Sequence, residues 1–204
     1  MNVHYGCGFS SCEGWENFDA SPTLIIERIP FFGLFVKKNN GRFPNNVKYG
    51  NIVKGLPLKD NSIDLVYCSH ILEHLSLNDL KIALKNTYKM LKGGGCFRLV
   101  LPDLEFDARE YINNFNCDAS ISFLRKSHLG EEKREQGIIK ALINYLGNSK
   151  HLWMWDYKSL KKELEYCGFQ QVRRAKYNDN KNINFLKIEE EGRWNNCLGI
   201  ECFK

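Results

Sequence analysis

Hydrophobic and polar positions alternate along the chain in blocks that predict strands followed by helices. Strands are expected in the short apolar runs NVHY, WENFD, VKYGNI, SIDLVYCS, CFRLVLP, QQVRRAKY and NNCLGIECF. Helices are expected in SPTLIIERIPFFGLF, from HILEHL onward, and in LNDLKIALKNTYKMLK, FDAREYINNF, GIIKALINYLG and YKSLKKELEYCGF. Ser21-Pro22 is a helix-start signal, and Gly93-Gly94-Gly95 is expected to cap the helix that precedes it.

This alternation is typical of a parallel sheet, because parallel strands need helical crossovers. We therefore predict an α/β fold: a Rossmann-like three-layer sandwich whose mostly parallel seven-stranded sheet has helices on both faces. No repeat or linker divides the chain, so residues 1–204 are expected to form one domain. Residues 106–150 are longer than a plain crossover, and we interpret them as a helical insertion that covers the ligand site.

Composition narrows the functional classes. No stretch approaches the roughly 18 apolar residues of a membrane span, and no secretory leader is visible, so we expect a cytoplasmic protein. Eight cysteines include no CxxC pair, which predicts reduced thiols and no metal. The net charge of +5 is spread along the chain without a recognisable nucleic-acid module, so nucleic acid is not an expected partner.

Candidate binding residues lie just after the predicted strands, where open α/β sheets bind ligands. Gly6-Cys7-Gly8 follows the first strand, and its glycines suit either a nucleotide cradle or a structural turn. Asp19 follows the second strand, where it could accept ribose hydroxyls or cap the next helix. Asn51 and Ile52 follow the third, where an amide and a backbone N–H could bind the edge of an adenine.

The fourth and fifth strands end in residues that could act as acids or bases. Ser69 and His70 come directly after the fourth strand, and Asp103 follows the fifth in a Pro-Asp pair that is also common in turns. His151 begins HLWMWD, whose two tryptophans could pack in the core or form the floor of an acceptor pocket.

Taken together, these stretches resemble the class I S-adenosylmethionine-dependent methyltransferases. The likeness is carried by HYGCG, GWENFD, LPLKDNSIDLVYCSHILEHL, KMLKGGGCFRLVLPDLE and HLWMWDYKSLKKELEYCGFQQV. It is closest to the small bacterial type often encoded among surface-polysaccharide genes. The resemblance implies S-adenosylmethionine as cofactor and a small molecule or sugar as methyl acceptor.

The resemblance also implies roles for particular residues. Cofactor-binding residues would be Gly6, Cys7 and Gly8 beside the methionine part, Asp19 on the ribose, Asn51 and Ile52 beside adenine, and Ser69 and His70 near the sulfonium. His70, Asp103 and His151 are the candidates for a catalytic base.

His4, Ser10 and Asn51 stand where the family usually has other residues. They leave open an alternative reading, a catalytically inactive methyltransferase-like protein that serves in binding or assembly. An NAD enzyme is disfavoured, because Ser11 occupies the third glycine position of G-x-G-x-x-G. Cover for the cofactor would come from residues 106–150 or from a second copy of the chain in a homodimer.

Overall fold

The computed structural model describes residues 1–29, 41–132, 150–180 and 182–204. Its seven strands form one sheet in the order β3-β2-β1-β4-β5-β7-β6. β7 runs antiparallel to both of its neighbours, and the other neighbouring pairs are parallel. The strands are β1 Asn2–Tyr5, β2 Trp15–Asp19, β3 Val47–Tyr49, β4 Ile63–Ser69, β5 Leu91–Pro102, β6 Gln170–Ala175 and β7 Cys197–Phe203.

Helices connect most of these strands, as the alternating pattern predicts. The α-helices are α1 Pro22–Glu27, α2 Leu77–Met90, α3 Leu104–Ile112, α4 Ala119–Lys126, α5 Tyr157–Tyr166 and α6 Ile183–Leu186. Two short 3-10 helices span Leu72–His74 and Glu191–Arg193. The predicted Rossmann-like sandwich is confirmed. The predicted helix GIIKALINYLG lies outside the described residues. So do residues 133–149 of the predicted insertion 106–150.

Two local predictions are wrong. The chain after β4 forms only the 3-10 turn Leu72–His74, and a separate helix, α2, begins after Ser76, whose side chain caps it. Gly93-Gly94-Gly95 does not cap α2, because Leu91 already has extended backbone angles and opens β5. The glycines instead lie in an irregular stretch of β5, where Gly94 has φ +79° and its N–H donates to the carbonyl of Lys204 at 2.7 Å.

One face of the sheet is covered by two amphipathic helices. Leu80 and Leu84 of α2 and Leu160 and Leu164 of α5 are fully buried against alternate residues of the strands, such as Val66. Their spacing of four residues places each pair on one side of its helix. This face holds the larger hydrophobic core.

The opposite face is covered in an unexpected way. The connection between β1 and β2 runs only from residue 6 to residue 14 and contains no helix, so it cannot shield the sheet. The long connection between β6 and β7 does so instead, by placing Phe185, Ile188 and Trp194 against Leu65 and Tyr67 of β4. We call residues 176–196 the covering segment.

A buried charge network anchors the covering segment. The guanidinium of Arg98, on β5, donates to the carboxylates of Glu189, Asp179 and Glu201 and to the carbonyl of Lys176. Arg98 and Glu189 have fully buried side chains, and each needs a partner there because an isolated buried charge is costly. The network therefore fixes where the segment lies.

All eight cysteines are free, and Cys68 and Cys96 are buried as expected. Within the described ranges, no helix has both the length and the hydropathy needed to cross a membrane.

Candidate active site at the strand ends

The turn after β1 has two glycines in left-handed backbone conformations. Gly6 has φ +68° and Gly8 has φ +56°. A Cβ on Gly6 would lie 2.1 Å from Cγ1 of Ile71, whereas a Cβ on Gly8 would meet nothing within 4 Å. Gly6 is thus required by packing inside the protein, and Gly8 leaves open space where a ligand can approach the backbone.

Cys7, between them, points into the protein. Its side chain is buried in a small cluster with Leu24, Phe43 and Val47. Its N–H donates to the carbonyl of Phe18 at 3.1 Å, which ties the turn to β2. Cys7 therefore positions the turn, and little of its own surface is accessible to a ligand.

Asp19 links the ends of β1 and β2. Its Oδ2 accepts from the N–H of Gly8 at 2.9 Å, and its Oδ1 accepts from the N–H of Ser21 at 2.8 Å. The side chain is largely buried, and its outer lone pairs are still free to accept further hydrogen bonds. Asp19 can therefore hold the turn and also accept hydrogen bonds from a ligand, so the two alternatives raised by the sequence do not exclude each other.

The residues after β3 lie beside this carboxylate. The N–H of Gly50 donates to the carbonyl of Asp19 at 3.0 Å. Asn51 uses its Oδ1 to accept from the N–H of Val53 at 2.8 Å, so this side chain holds a turn, with its amide nitrogen still available as a donor. Ile52 is buried in the larger core. These contacts bring Asn51 to the same edge as Asp19.

His70, after β4, has a left-handed backbone with φ +55° and a fully engaged ring. Its Nε2 donates to the carbonyl of Arg193 at 2.9 Å, and its Nδ1 lies 3.3 Å from Oε1 of Glu73. Burial opposes the charge on this imidazole, but hydrogen bonds to Cys197, Glu73 and the Arg193 carbonyl outweigh it and raise the pKa of His70 to about 10. His70 is therefore a cation with no nitrogen left to accept a proton.

Arg193 is the main residue at this site that sequence reasoning missed. Its guanidinium donates to Oγ of Ser69 at 3.3 Å and pairs with Glu190 at 3.6 Å. It lies in the covering segment, whose approach to β4 is a tertiary contact with no local signal in the sequence. It brings a positive charge to the end of β4.

A small cavity lies between the β1 turn and the covering segment. Its volume is about 10 Å³, and it is lined by His4, Gly6, Cys7, Ser10, Tyr67, Ser69, Ile188, Glu190 and Arg193. This is room for about one water molecule, so a ligand group could enter here only if the surrounding side chains moved apart.

His4, on β1, forms the inner wall of this cavity. Its ring lies 5.3 Å from that of Tyr67, and Nδ1 is buried with no hydrogen-bond partner among the residues that the structure describes. Burial, assisted by the nearby charge of Arg193, lowers the pKa of His4 to about 3. His4 is therefore neutral at physiological pH.

Asp103 lies at the end of β5 and is already engaged. Its Oδ1 accepts from the N–H of Glu105, which caps α3, and its Oδ2 pairs with the guanidinium of Arg174 at 3.1 Å. Both oxygens of this carboxylate are therefore committed to structural contacts.

Residues 150–156 lie against the 3-10 turn that follows β4. The N–H groups of Leu152 and Trp153 donate to the carbonyl of Glu73 at 2.8 and 3.1 Å. The ring of His151 consequently lies 5.0 Å from that of His74, and its Nδ1 is buried without a partner. Burial lowers the pKa of His151, so this imidazole is neutral and keeps a free nitrogen.

The two tryptophans of this stretch have different surroundings. Trp155 is only 2% exposed and packs in the larger core, whereas Trp153 is 44% exposed. A core role for one of the pair is confirmed, and Trp153 keeps an exposed aromatic face beside it at a ring separation of 6.2 Å.

The structure thus brings the predicted residues together in two groups. Gly6, Cys7, Gly8, Asp19, Asn51, Ile52, Ser69 and His70 lie around the ends of β1 to β4. Asp103 and His151 lie farther along the same edge, where Asp103 forms a bridge with Trp155. Glu73 connects the groups, because it contacts His70 through its side chain and Trp153 through its carbonyl.

Comparison with known proteins agrees with this arrangement. A family profile described as "Methyltransferase domain" matches residues 34–99, about a third of the chain, from before β3 into β5. No curated protein matches the sequence.

Solved methyltransferase structures share the fold across the whole chain. An S-adenosylmethionine-dependent methyltransferase from Archaeoglobus fulgidus is 18% identical, with a TM-score of 0.52, and the alignment covers 100% of this chain and 85% of that one. A possible histamine N-methyltransferase from Thermotoga maritima is 18% identical, with a TM-score of 0.53, and the alignment covers 100% and 82%. At this identity the likeness shows the fold.

The cofactor of such domains can be tested against the residues present here. The open space at Gly8, the carboxylate of Asp19 with unused lone pairs and the guanidinium of Arg193 provide contacts for a ribose and an amino-acid carboxylate. The residues therefore fit. The chain is thus similar to methyltransferase domains in sequence over residues 34–99, and it shares its fold with solved S-adenosylmethionine-dependent methyltransferases.

Proposed function

We propose that this protein transfers the methyl group of S-adenosylmethionine to a small-molecule or sugar acceptor in the cytoplasm, the acceptor being of the surface-glycan kind. The observation that carries the proposal is the hydrogen bond from the Gly8 N–H to Asp19, at 2.9 Å. It places a buried carboxylate directly beside a glycine whose outer side is open, as a bound nucleoside requires.

Each part of the cofactor has residues to hold it. The ribose hydroxyls would donate to Asp19, and adenine would lie beside Asn51 and Ile52. The methionyl carboxylate would enter the cavity beside Gly6, where Arg193 supplies a guanidinium for bidentate binding. His70 adds a second positive charge behind Arg193, through its hydrogen bond to the Arg193 carbonyl.

The bound cofactor supplies a methyl group already activated by the sulfonium, so the protein has chiefly to align the acceptor with it. Such alignment converts a bimolecular step into an effectively unimolecular one. The exposed face of Trp153, beside residues 150–156, provides a platform for a sugar ring or a flat amine.

Among the three candidates for a base, His151 best fits the acceptor side. His70 has both nitrogens engaged, and both carboxylate oxygens of Asp103 hold structural partners. His151 retains an unpartnered Nδ1 and a lowered pKa, so it can accept a proton from an acceptor hydroxyl at neutral pH.

A second candidate function is a methyltransferase-like binding or assembly protein without catalysis. The specific observation in its favour is the small volume, about 10 Å³, of the cavity between the β1 turn and the covering segment. In that case the segment would be permanently closed over the methionyl site, and S-adenosylmethionine would not bind.

Calorimetric titration with S-adenosylmethionine and S-adenosylhomocysteine separates the two. Wild-type protein is expected to bind both at micromolar concentration, and Asp19→Asn to bind about tenfold or more weakly, because an amide offers one acceptor where the carboxylate offers two. Asp118→Asn, at an exposed helix start, is the matched control and should bind like wild type. Absence of binding at millimolar ligand would support the second candidate.

A further inference from the structure

Three potential metal ligands converge beside the 3-10 turn after β4. Glu73, His74 and His151 each offer one ligand atom, and these atoms all lie within 4.8 Å of one another. The first two are adjacent in sequence and the third lies 77 positions later, so no local spacing signals the cluster. The cysteines and the local Cys/His spacing predict no metal site, because such spacing cannot reveal ligands that lie far apart in the sequence.

The cluster contains polar atoms that the protein leaves unsatisfied. Glu73 is fully buried, and its Oε1 lies 3.3 Å from Nδ1 of the charged His70. Its other oxygen, Oε2, and Nδ1 of His151 are both buried with no hydrogen-bond partner within the described residues. Buried polar atoms are normally paired, so two such atoms in one cluster call for a ligand.

The surrounding contacts orient the two imidazoles as metal ligands are usually oriented. Nδ1 of His74 donates to the carbonyl of Lys150 at 2.9 Å, which fixes the tautomer and leaves the Nε2 lone pair free. The ring of His151 has a hydrogen-bond partner in the backbone of Ser127. Metal-bound histidines typically make this kind of hydrogen bond to a backbone carbonyl.

From this geometry we propose that Glu73, His74 and His151 bind a divalent transition-metal ion, with Zn²⁺ the ion that suits them best. Two imidazoles and one carboxylate match the ligand preferences of zinc and disfavour Mg²⁺ and Ca²⁺, which take oxygen ligands. Three protein ligands leave at least one coordination position open. The site joins the turn after β4 to residues 150–156.

The position of the site also suggests its use. Glu73 contacts His70, so a bound ion would lie one side chain away from the proposed cofactor pocket, on the acceptor side. With the ion bound, His151 would be a ligand in place of a base, and the open coordination position could take an acceptor hydroxyl and lower its pKa, the proton passing to solvent. This role rests on the proposed function, whereas metal binding itself does not.

Zinc binding to the full-length protein tests the site. Protein freed of metal by chelation is titrated with Zn²⁺ in a calorimeter, and with Co²⁺ while visible absorption bands of the bound ion are recorded. We expect one ion per chain. His74→Gln and His151→Gln should each weaken binding about a hundredfold or more, since losing a ligand costs more than losing a supporting hydrogen bond.

Controls make the result specific. His128→Gln alters an exposed histidine whose ring lies 5.0 Å from His151 but outside the cluster, and it should bind zinc within about threefold of wild type. Cys117→Ser excludes adventitious binding at the exposed thiol. Circular dichroism checks that each variant is folded. Glu73→Gln is used only as a supplementary variant, because Glu73 is buried and its substitution can lower the stability of the fold.

Three outcomes would overturn the proposal. They are the absence of zinc binding by wild type, zinc binding by His74→Gln and His151→Gln as tight as that of wild type, and a loss of zinc affinity in His128→Gln as large as that in His151→Gln. Titration with S-adenosylmethionine in the presence of chelator is run in parallel. Cofactor binding without metal binding would overturn only the metal site, and metal binding without cofactor binding would overturn only the proposed function.

Discussion

Arg98 and Glu189 form an ion pair in which both side chains are completely buried, 91 residues apart in the sequence. Arg98 comes from the middle of the sheet and Glu189 from the covering segment, so the pair joins the two layers of the second face. The face of Trp194 completes the enclosure of the guanidinium, at 4.6 Å from its central carbon.

Removing this guanidinium should destabilise the whole domain. Arg98→Met keeps much of the side-chain volume but leaves the buried carboxylate of Glu189 without its cation and takes one of two guanidinium partners from Glu201. The expected loss is about 3–5 kcal/mol in the free energy of unfolding, measured by urea denaturation. Arg109→Met is the control, because Arg109 pairs with Glu105 at the surface and should change stability by less than about 1 kcal/mol. Equal effects would contradict the structural role given to the network.

The two glycines of the β1 turn should respond differently to alanine. Gly6→Ala must place a Cβ against Ile71 in a left-handed conformation, which should cost about 2–4 kcal/mol of stability. Gly8→Ala meets open space and should cost only about 1–2 kcal/mol, from backbone strain alone. It should nevertheless weaken S-adenosylmethionine binding more than tenfold, because the methyl group occupies the approach to the backbone. Denaturation and calorimetry on both variants check this, and unchanged cofactor affinity in Gly8→Ala would contradict it.

His4 should make the protein sensitive to acid. Its pKa is about 3 in the folded state and 6.5 in the unfolded chain, so the unfolded state takes up a proton first as pH falls. The stability that His4 contributes is complete above pH 6.5 and is lost progressively as the pH falls toward 3, by up to about 5 kcal/mol.

The His4→Gln variant isolates this contribution. Glutamine does not titrate, so the free energy of unfolding should fall less steeply between these two pKa values than in wild type. Arg193→Gln removes a nearby positive charge and should raise the pKa of His4, which histidine NMR titration would detect. Identical pH profiles for wild type and His4→Gln would show that His4 is not protonated on unfolding in this range.

Trp153 and Trp155 should separate activity from stability. Trp155→Ala empties a buried site and should cost about 3–5 kcal/mol. Trp153→Ala removes a half-exposed ring and should change stability by less than about 1 kcal/mol, while it raises the acceptor KM if this ring forms the acceptor platform. Steady-state kinetics with an identified acceptor is the measurement, and an unchanged KM would exclude Trp153 from the acceptor site.

Much of the sheet could be predicted from sequence because its signals are local. The seven strands are apolar runs, and the residue that follows each strand is fixed by the chain itself. Asp19 and Gly8 could be assigned to one site because adjacent parallel strands end at the same edge of a sheet. The structure agrees, with 2.9 Å between the Gly8 nitrogen and the Asp19 carboxylate.

The remaining features depend on contacts between distant parts of the chain. Arg193 enters the site through the fold of a connection whose two helical pieces are only four and three residues long, too short for a periodic signal. The pairing of Glu73 with His151 depends on two backbone hydrogen bonds from residues 152 and 153. The three glycines after α2 could not be assigned correctly, since a helix cap and an irregular strand both use glycine with positive φ.

The covering segment also has a consequence for biosynthesis. A ribosome makes β1, β4 and β5 well before residues 183–194, so Leu65 and Tyr67 have no cover on one side during most of translation. The nascent chain can cover its first hydrophobic face once α2 and α5 have emerged, whereas the second face stays open until residues 183–194 follow. A stop codon just after β6 would remove this cover together with β7, and the product would expose the apolar side chains of β4 on that face.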